Sequence, residues 1–238
     1  MQDAVGARVK YGEVHSAVTA VDGVYFDNVK GGQQAAQHLL ALGHHHIAFL
    51  GLVGSDSGDE SGDFLWSQER ENGWRTALDS AGYRTEGLVF RPKITPVPGP
   101  VEQIQAARQA SENLIREEHV TAVVATNSFA ARGLLEALSA AKIPGEKWPA
   151  VVCFDTTNLD GLDKVAHLTT LRMPWEDLGR TAADLLWERS HGQSDDSPQQ
   201  RLVPMRLITR LTSRRNWAQN VQIPDVQDPA PKLHPAVA

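Results

Sequence analysis

The chain has 238 residues, 41% apolar and 22% charged, an ordinary soluble globular composition with enough length for one large domain or two small ones. Its formal net charge of -6 argues against a nucleic-acid surface, which needs clustered Lys and Arg. A single cysteine, Cys153, excludes an internal disulfide and any multi-cysteine metal site. No apolar leader follows Met1 and no apolar run reaches membrane-spanning length, so a cytoplasmic protein is expected.

Residues Met1 to Val21 carry only weak apolar alternation and read as a lead-in with one edge strand. Val24 to Leu52 then reads as strand, helix and strand with almost no slack. Asp27 and Asn28 offer N-cap oxygens, Ala35, Ala36, Leu39 and Leu40 form one helical face, and Gly43 supplies a left-handed C-terminal cap. Ile47 to Leu50 is an unbroken apolar run, as in a strand covered on both faces. Gly51 to Phe64 is glycine, serine and acid, hence a mobile loop. Ser67 is expected to cap a helix through Ala81, with Trp74, Ala77 and Leu78 on its inner side.

Leu88 to Phe90 is a short strand, and the prolines from Pro92 to Pro100 forbid regular structure. A helix follows over Val101 to Glu118, then a buried strand over Val120 to Ala125. Asn127 and Ser128 form the turn and cap before a helix over Phe129 to Ala141. Ala150 to Phe154 is a buried strand ending at Asp155, and Leu168 to Leu171 is another. Pro174 opens a helix to Ser190, and one long strand is expected over Arg201 to Arg210. The four prolines after Trp217 predict a disordered tail. Strands alternating with helices across short connections predict an α/β fold, a parallel sheet with helices on both faces. Ligands in such sheets sit beyond the carboxyl ends of the strands, here the loop after Leu52, Asn127-Ser128 and Asp155-Thr156-Thr157.

The histidines His38, His44, His45 and His46 invite a metal reading, but no Cys or acid stands beside them at ligand spacing, and a solvated turn accounts for them. The loop from Gly51 to Gly62 lacks the G-K-[ST] ending of a phosphate cradle and the calcium-loop spacing, and its acids would repel phosphate. No G-x-S-x-G occurs, and Cys153 lies inside an apolar strand where a thiol is usually inert. No metal, cofactor or catalytic group is expected, and no enzyme. What remains is a binding constellation. Arg70 is placed in the first turn of the helix after the mobile loop, and Asn127 and Asp155 end neighbouring strands. A guanidinium fork, an amide and a carboxylate suit a polyhydroxylated or similarly polar ligand, with Trp66 available to stack on it and Trp74 also, although Trp74 is the better fit to the core. The same residues would equally serve as a surface ion pair of Arg70 with Glu69 or Asp63 and as simple turn caps.

Several stretches carry a resemblance. V-Y-F-D-N-x-x-G-G (Val24 to Gly32), H-L-L-A-L-G-H (His38 to His44) and S-x-E-R-x-x-G-W (Ser67 to Trp74) come first. A-T-N-S (Ala125 to Ser128) with Gly133, V-V-C-F-D (Val151 to Asp155), L-T-T-L-R-M-P (Leu168 to Pro174) with L-G-R (Leu178 to Arg180), and L-I-T-R-x-T-S (Leu207 to Ser213) follow in order. Together they resemble the effector-binding core of LacI/GalR-family transcriptional regulators. The resemblance implies a type I periplasmic-binding-protein-like pair of α/β subdomains with a small effector, a sugar or nucleobase, in the cleft between them. It also implies a homodimer, with the helix Phe129 to Ala141 as a contact, whose DNA affinity responds to the effector. By the same resemblance Arg70, Asn127 and Asp155 fall on effector-contacting positions, and Phe26 where an aromatic lines the cleft.

The chain departs from the family pattern at Ser128, Cys153, Thr156 and Met173, where Asp, Gly, Asp and Gln are usual. The helix-turn-helix and the first elements of the N-terminal subdomain are not recognised, so DNA is reached only through a segment outside this sequence. The implied division is residues 1–27 as lead-in and one strand of an incomplete N-terminal subdomain, 28–172 as the effector-binding C-terminal subdomain, 173–215 as a return segment and 216–238 as tail. A sugar-binding protein of the periplasmic type is the alternative.

Overall fold

The computed structural model describes residues 9–12 (backbone only), 21–52, 65–92, 99–117, 119–154, 167–192 and 197–220. The tail, most of the loop over 51–64, most of the proline-rich run and the stretch from Asp155 to Ala166 lie outside the described residues.

Two sheets organise the chain. The smaller holds β1 (Val9–Gly12), β2 (Asp22–Phe26) and β8 (Gln200–Val203), all parallel, with β2 in the middle. The edge strand expected in the lead-in is therefore β1. The larger has six strands in the order β4 (Val89–Phe90), β3 (Ile47–Leu50), β5 (Ala122–Ala125), β6 (Ala150–Phe154), β7 (Thr169–Arg172) and β9 (Arg206–Ile208). All its pairings are parallel except that of β7 with β9.

The period of two in the apolar strands becomes two cores. Ile47, Phe49, Val124 and Val152 face one side, where α1 (Asn28–Ala41) and α2 (Leu65–Ser80) supply Ala35, Leu39, Trp74 and Leu78. Ala48, Leu50, Val123 and Val151 face the other, against α3 (Pro100–Arg116) and α4 (Ser128–Ala140). With helices on both faces, β3, β5 and β6 are buried at every position, the reason their sequences are apolar without alternation. The first core runs on into the small sheet through Phe26, Val203 and Met205, where α5 (Trp175–Ser190) adds Leu178 and Leu185.

Helix pairs approach closely at glycines. A Cβ on Gly32 of α1 would stand 2.0 Å from the Arg70 carbonyl oxygen of α2, and one on Gly73 would stand 1.9 Å from the Val29 carbonyl oxygen. Gly133 of α4 does the same against α3, 2.6 Å from the Ile104 carbonyl oxygen. These residues are glycine because backbone touches backbone there.

Four expectations change. The second helix begins at Leu65, so Ser67 is not its cap: its hydroxyl is buried in the first turn, accepting from the Leu52 amide at 3.1 Å and the Thr126 hydroxyl at 3.0 Å. Arg70 consequently stands in the second turn, not the first. The strand expected over 201–210 is two strands in different sheets, because Pro204 has no amide hydrogen to continue a ladder. His44 is not solvated: it is 1% exposed, with Nδ1 3.1 Å from the Thr121 hydroxyl. His45 stacks on Tyr83 and His46 meets His119 edge to face, so the three consecutive rings have three separate neighbours.

Candidate functional site

In the six-stranded sheet β3 continues to β4 on one side while β5 lies on the other, so the topology switches between β3 and β5. Helices leave the two carboxyl ends towards opposite faces there, which opens a crevice. Leu52 and Thr126 follow these strands, and the Ser67 hydroxyl bridges them.

Arg70 enters this crevice from α2 and is 1% exposed, which excludes the surface ion pair. Its Nε donates to Asn28 Oδ1 at 2.9 Å, one Nη to the Thr126 carbonyl at 2.6 Å, and the other Nη reaches Met173 Sδ at 3.5 Å. The guanidinium carbon lies 4.4 Å from the Phe154 ring centroid and 4.7 Å from that of Trp66. Desolvating a cation costs several kcal/mol. Charge-assisted hydrogen bonds in the guanidinium plane and aromatic faces beside it, each worth ~2 kcal/mol when desolvated, offset that cost and fix the fork in one orientation. Arg70 is thereby tied to α1, β5, β6 and the end of β7 at once.

Asn28 was expected to share the N-cap of α1. Asp27 does that alone, accepting from the Lys30 amide at 2.9 Å. Asn28 turns inward: its oxygen takes the Arg70 hydrogen and its amide donates to Glu69 at 2.8 Å. Glu71, one residue along α2 and 4% exposed, accepts from Arg75 and Arg91, pinning the helix to the far end of β4.

Asn127 caps α4, its oxygen accepting from the Ala130 amide at 2.8 Å, while its amide donates to Gln103 at 3.0 Å. The capping reading is thus true of it, and the cap holds its side chain at the crevice. Phe26 is fully buried at the end of β2 and meets Trp175 edge to face, with ring centroids 4.8 Å apart. Trp74 is core, its ring 5.7 Å from Phe49, and the Trp66 ring stands against the Arg70 guanidinium. Asp155 lies outside the described residues, one position beyond β6. The structure therefore brings Arg70 and Asn127 to the ends of adjacent strands of the larger sheet, while Phe26 ends β2 of the small one.

Sequence reasoning missed Trp175. It is 42% exposed, in the first turn of α5, directly after the chain leaves β7 through Met173 and Pro174. No local sequence signal marks it, because its partner is Phe26, distant in the chain. Of the departures from the family pattern, Met173 places its sulfur against the Arg70 fork, and Ser128 and Cys153 are buried. The arrangement offers fixed hydrogen-bond donors and aromatic surface. It holds no paired acid and base suited to proton transfer among the described residues.

Residues 36–213 match the periplasmic binding protein-like domain. The HTH-type transcriptional regulator DegA of Bacillus subtilis is 29% identical over 198 residues, covering 80% of this chain and 51% of DegA. Among solved structures, a LacI family transcriptional regulator from Enterococcus faecium with bound ribose aligns with a TM-score of 0.63 and 26% identity, covering 87% of this chain and 70% of that one. The complex of the regulator CelR with cellobiose aligns with a TM-score of 0.63 and 28% identity, covering 86% and 58%. The chain spans about half the length of DegA. These relatives are transcriptional regulators. Fold, site topology and sequence match converge: the chain belongs to the periplasmic binding protein-like domain family, in the company of LacI-family transcriptional regulators.

Proposed function

We propose that this chain senses a small polar effector, a sugar or nucleobase-like molecule, bound between the two sheets by Arg70, Asn127, Asp155 and Phe26. The observation that carries the reading is the buried Arg70 fork, held in plane at the switch point between two aromatic faces. A rigid planar donor set at a crevice suits vicinal hydroxyls, a carboxylate or a heterocycle edge. Ribose and cellobiose in the structures of two relatives support the sugar class.

The effector acts by binding one cleft geometry better than another, the only way a ligand shifts an equilibrium between states. The sheets then correspond to two subdomains, with residues 28–172 forming most of the effector-binding one, the stretch after 172 returning the chain to its partner through α5 and β8, and β9 rejoining the larger sheet. The sensor works in the cytoplasm as a homodimer with α4 at the contact, and it reaches DNA through a helix-turn-helix outside this sequence.

A panel of monosaccharides, disaccharides and nucleobases tests this by thermal shift. One of them should raise the melting temperature saturably by mass action. Asp155→Asn should abolish the rise while leaving the melting temperature without effector unchanged. A flat response across the panel, or an unaltered response in Asp155→Asn, refutes the assignment.

A further inference from the structure

The opposite end of the six-stranded sheet holds a cavity of about 500 Å³, below the amino ends of β3, β5 and β6. Its floor is apolar, formed by Leu114, Leu138, Ile143 and Trp148, and Trp148 is fixed by its own indole N–H, which donates to the Ile143 carbonyl at 2.8 Å. Its rim is charged. Lys147 and Arg215 line it with Glu146 and Glu117, and all four are exposed.

These charges are not spent on one another. Among the described residues Lys147, Arg215 and Glu146 form no ion pair, and Glu117 has only His119, at 3.7 Å. Arg215 is anchored by a single bond from one Nη to the Gly43 carbonyl at 2.9 Å, leaving the rest of its fork at the cavity. Opposite charges that line one small cavity yet stand too far apart to pair can be bridged by a molecule carrying both signs. His44 also lines the wall, and its Nε2 is buried without a hydrogen-bond partner. Burial, and then the Arg215 cation, hold its imidazole below the usual histidine range and so neutral. The Ser213 carbonyl opposes that shift without reaching hydrogen-bond geometry. A neutral ring at the junction of floor and rim adds no third cation to the balance.

We infer that this cavity is a second ligand site, separate from the cleft, for a small zwitterion with an apolar body, the chemistry of a hydrophobic α-amino acid. The carboxylate lies on Lys147 and Arg215, the ammonium on Glu146 and Glu117, and the side chain on Trp148, Leu138 and Ile143. The volume lies within the 300–1,000 Å³ range of small-molecule sites. Helix α4 runs from Asn127 at the crevice to Leu138 at this cavity, so one rigid element joins the two sites. The inference does not rest on the cleft reading.

The test titrates the 238-residue chain with L-leucine and L-phenylalanine by calorimetry and thermal shift, beside isocaproate, which lacks the ammonium, and isoamylamine, which lacks the carboxylate. An amino acid should bind saturably, and each single-charge analogue should bind at least ~10-fold more weakly, the scale of one lost charge-assisted contact. Lys147→Gln with Arg215→Gln, both exposed positions, should lose binding while lowering the unliganded melting temperature by no more than the single Arg215–Gly43 hydrogen bond accounts for, and Asp155→Asn should retain it. No binding at ~10 mM amino acid, a Kd weaker than any useful site, overturns the inference. Equal binding of isocaproate, unaltered binding in the double variant, or loss in Asp155→Asn, which would place the ligand in the cleft, does so too.

Discussion

Replacing Gly32 by alanine tests the helix contact that sets Arg70. An added Cβ would lie 2.0 Å from the Arg70 carbonyl oxygen and 2.9 Å from both the Arg70 carbonyl carbon and the Trp74 nitrogen. Ordinary contact begins near 3.4 Å, so α1 and α2 must separate by about 1.4 Å at this point, and the obstacle is backbone that cannot swing aside. Overpacking costs ~1–3 kcal/mol, and a backbone obstacle belongs at the upper end. Alanine is better than glycine inside a helix by ~1 kcal/mol, which works the other way. The net expectation is a loss of about 2 kcal/mol, or ~4–8 °C in melting temperature for a chain of this size. Gly179 is the control: it lies in α5 and a Cβ there meets nothing within 4 Å, so Gly179→Ala should gain up to ~1 kcal/mol from helix propensity alone. Urea unfolding of the two variants reads both numbers. If Gly32→Ala is as stable as Gly179→Ala, the two helices do not touch backbone to backbone and the account of how Arg70 is placed fails.

Further outcomes follow from single contacts. Asn28→Ala removes the acceptor of the buried Arg70 Nε and should cost ~1–3 kcal/mol in urea unfolding, whereas Asn28→Asp keeps an acceptor and should cost less. Burial holds the imidazoles of His38 and His44 below their ordinary 6.5, so between the folded and unfolded values the unfolded chain binds more protons. Their contribution to stability is therefore full above pH 6.5 and is lost as pH falls below it; His44→Gln should flatten the urea midpoint between pH 7.5 and 5 relative to wild type. Asp22 is held below its ordinary 3.8 chiefly by the hydrogen bond from Arg189, so its contribution disappears only at lower pH, as the solution falls through the carboxylate range. Arg189→Ala should remove that acid-limb slope while leaving the histidine limb in place.

The larger sheet was legible because it is written in runs. Ile47 to Leu50, Ala122 to Ala125 and Ala150 to Phe154 are apolar at every position, and only a strand sandwiched between helices needs that. Errors arose where a short-range signal competed with a contact distant in sequence. Ser67 has a cap's chemistry, but its hydroxyl is claimed by Leu52 and Thr126, 15 and 59 residues away. Asn28 looks like a cap for the same reason and is drawn inward by Arg70, 42 residues on. Pro204 should have split the last strand from sequence alone, since a residue without an amide hydrogen cannot continue a ladder across two sheets. Of the proposed site residues, Arg70 and Asn127 could be located by their places after strand ends, and Phe26 came only through resemblance. Trp175 was hidden because its meaning depends on Phe26, and nothing local in either stretch pairs them.

The chain crosses between the two sheets three times, and on the proposed reading the crossings are where an effector must act. The first is Phe26 to Asn28, the second Arg172 to Trp175, the third Val203 to Arg206. Asp27 and Val203 join the first and third directly, amide to carbonyl at 3.0 Å, and Met205 of the third packs where a Cβ on Gly31 would stand, 3.0 Å away. Arg70 binds Asn28 on the first crossing and Met173 on the second. One guanidinium therefore holds two of the three connections. On the proposed reading an effector that hydrogen-bonds Arg70 competes with Asn28 and Met173 for the same donors, so occupancy is felt at the crossings without any longer relay. The sulfur contact, a weak acceptor at 3.5 Å, is the one that yields first. Met173 offers the fork little to hold it, and on the proposed reading Met173→Gln should tighten that contact, raise stability and weaken effector binding together. A variant that bound effector more tightly while gaining stability would show that Arg70 is not shared between the ligand and the crossing.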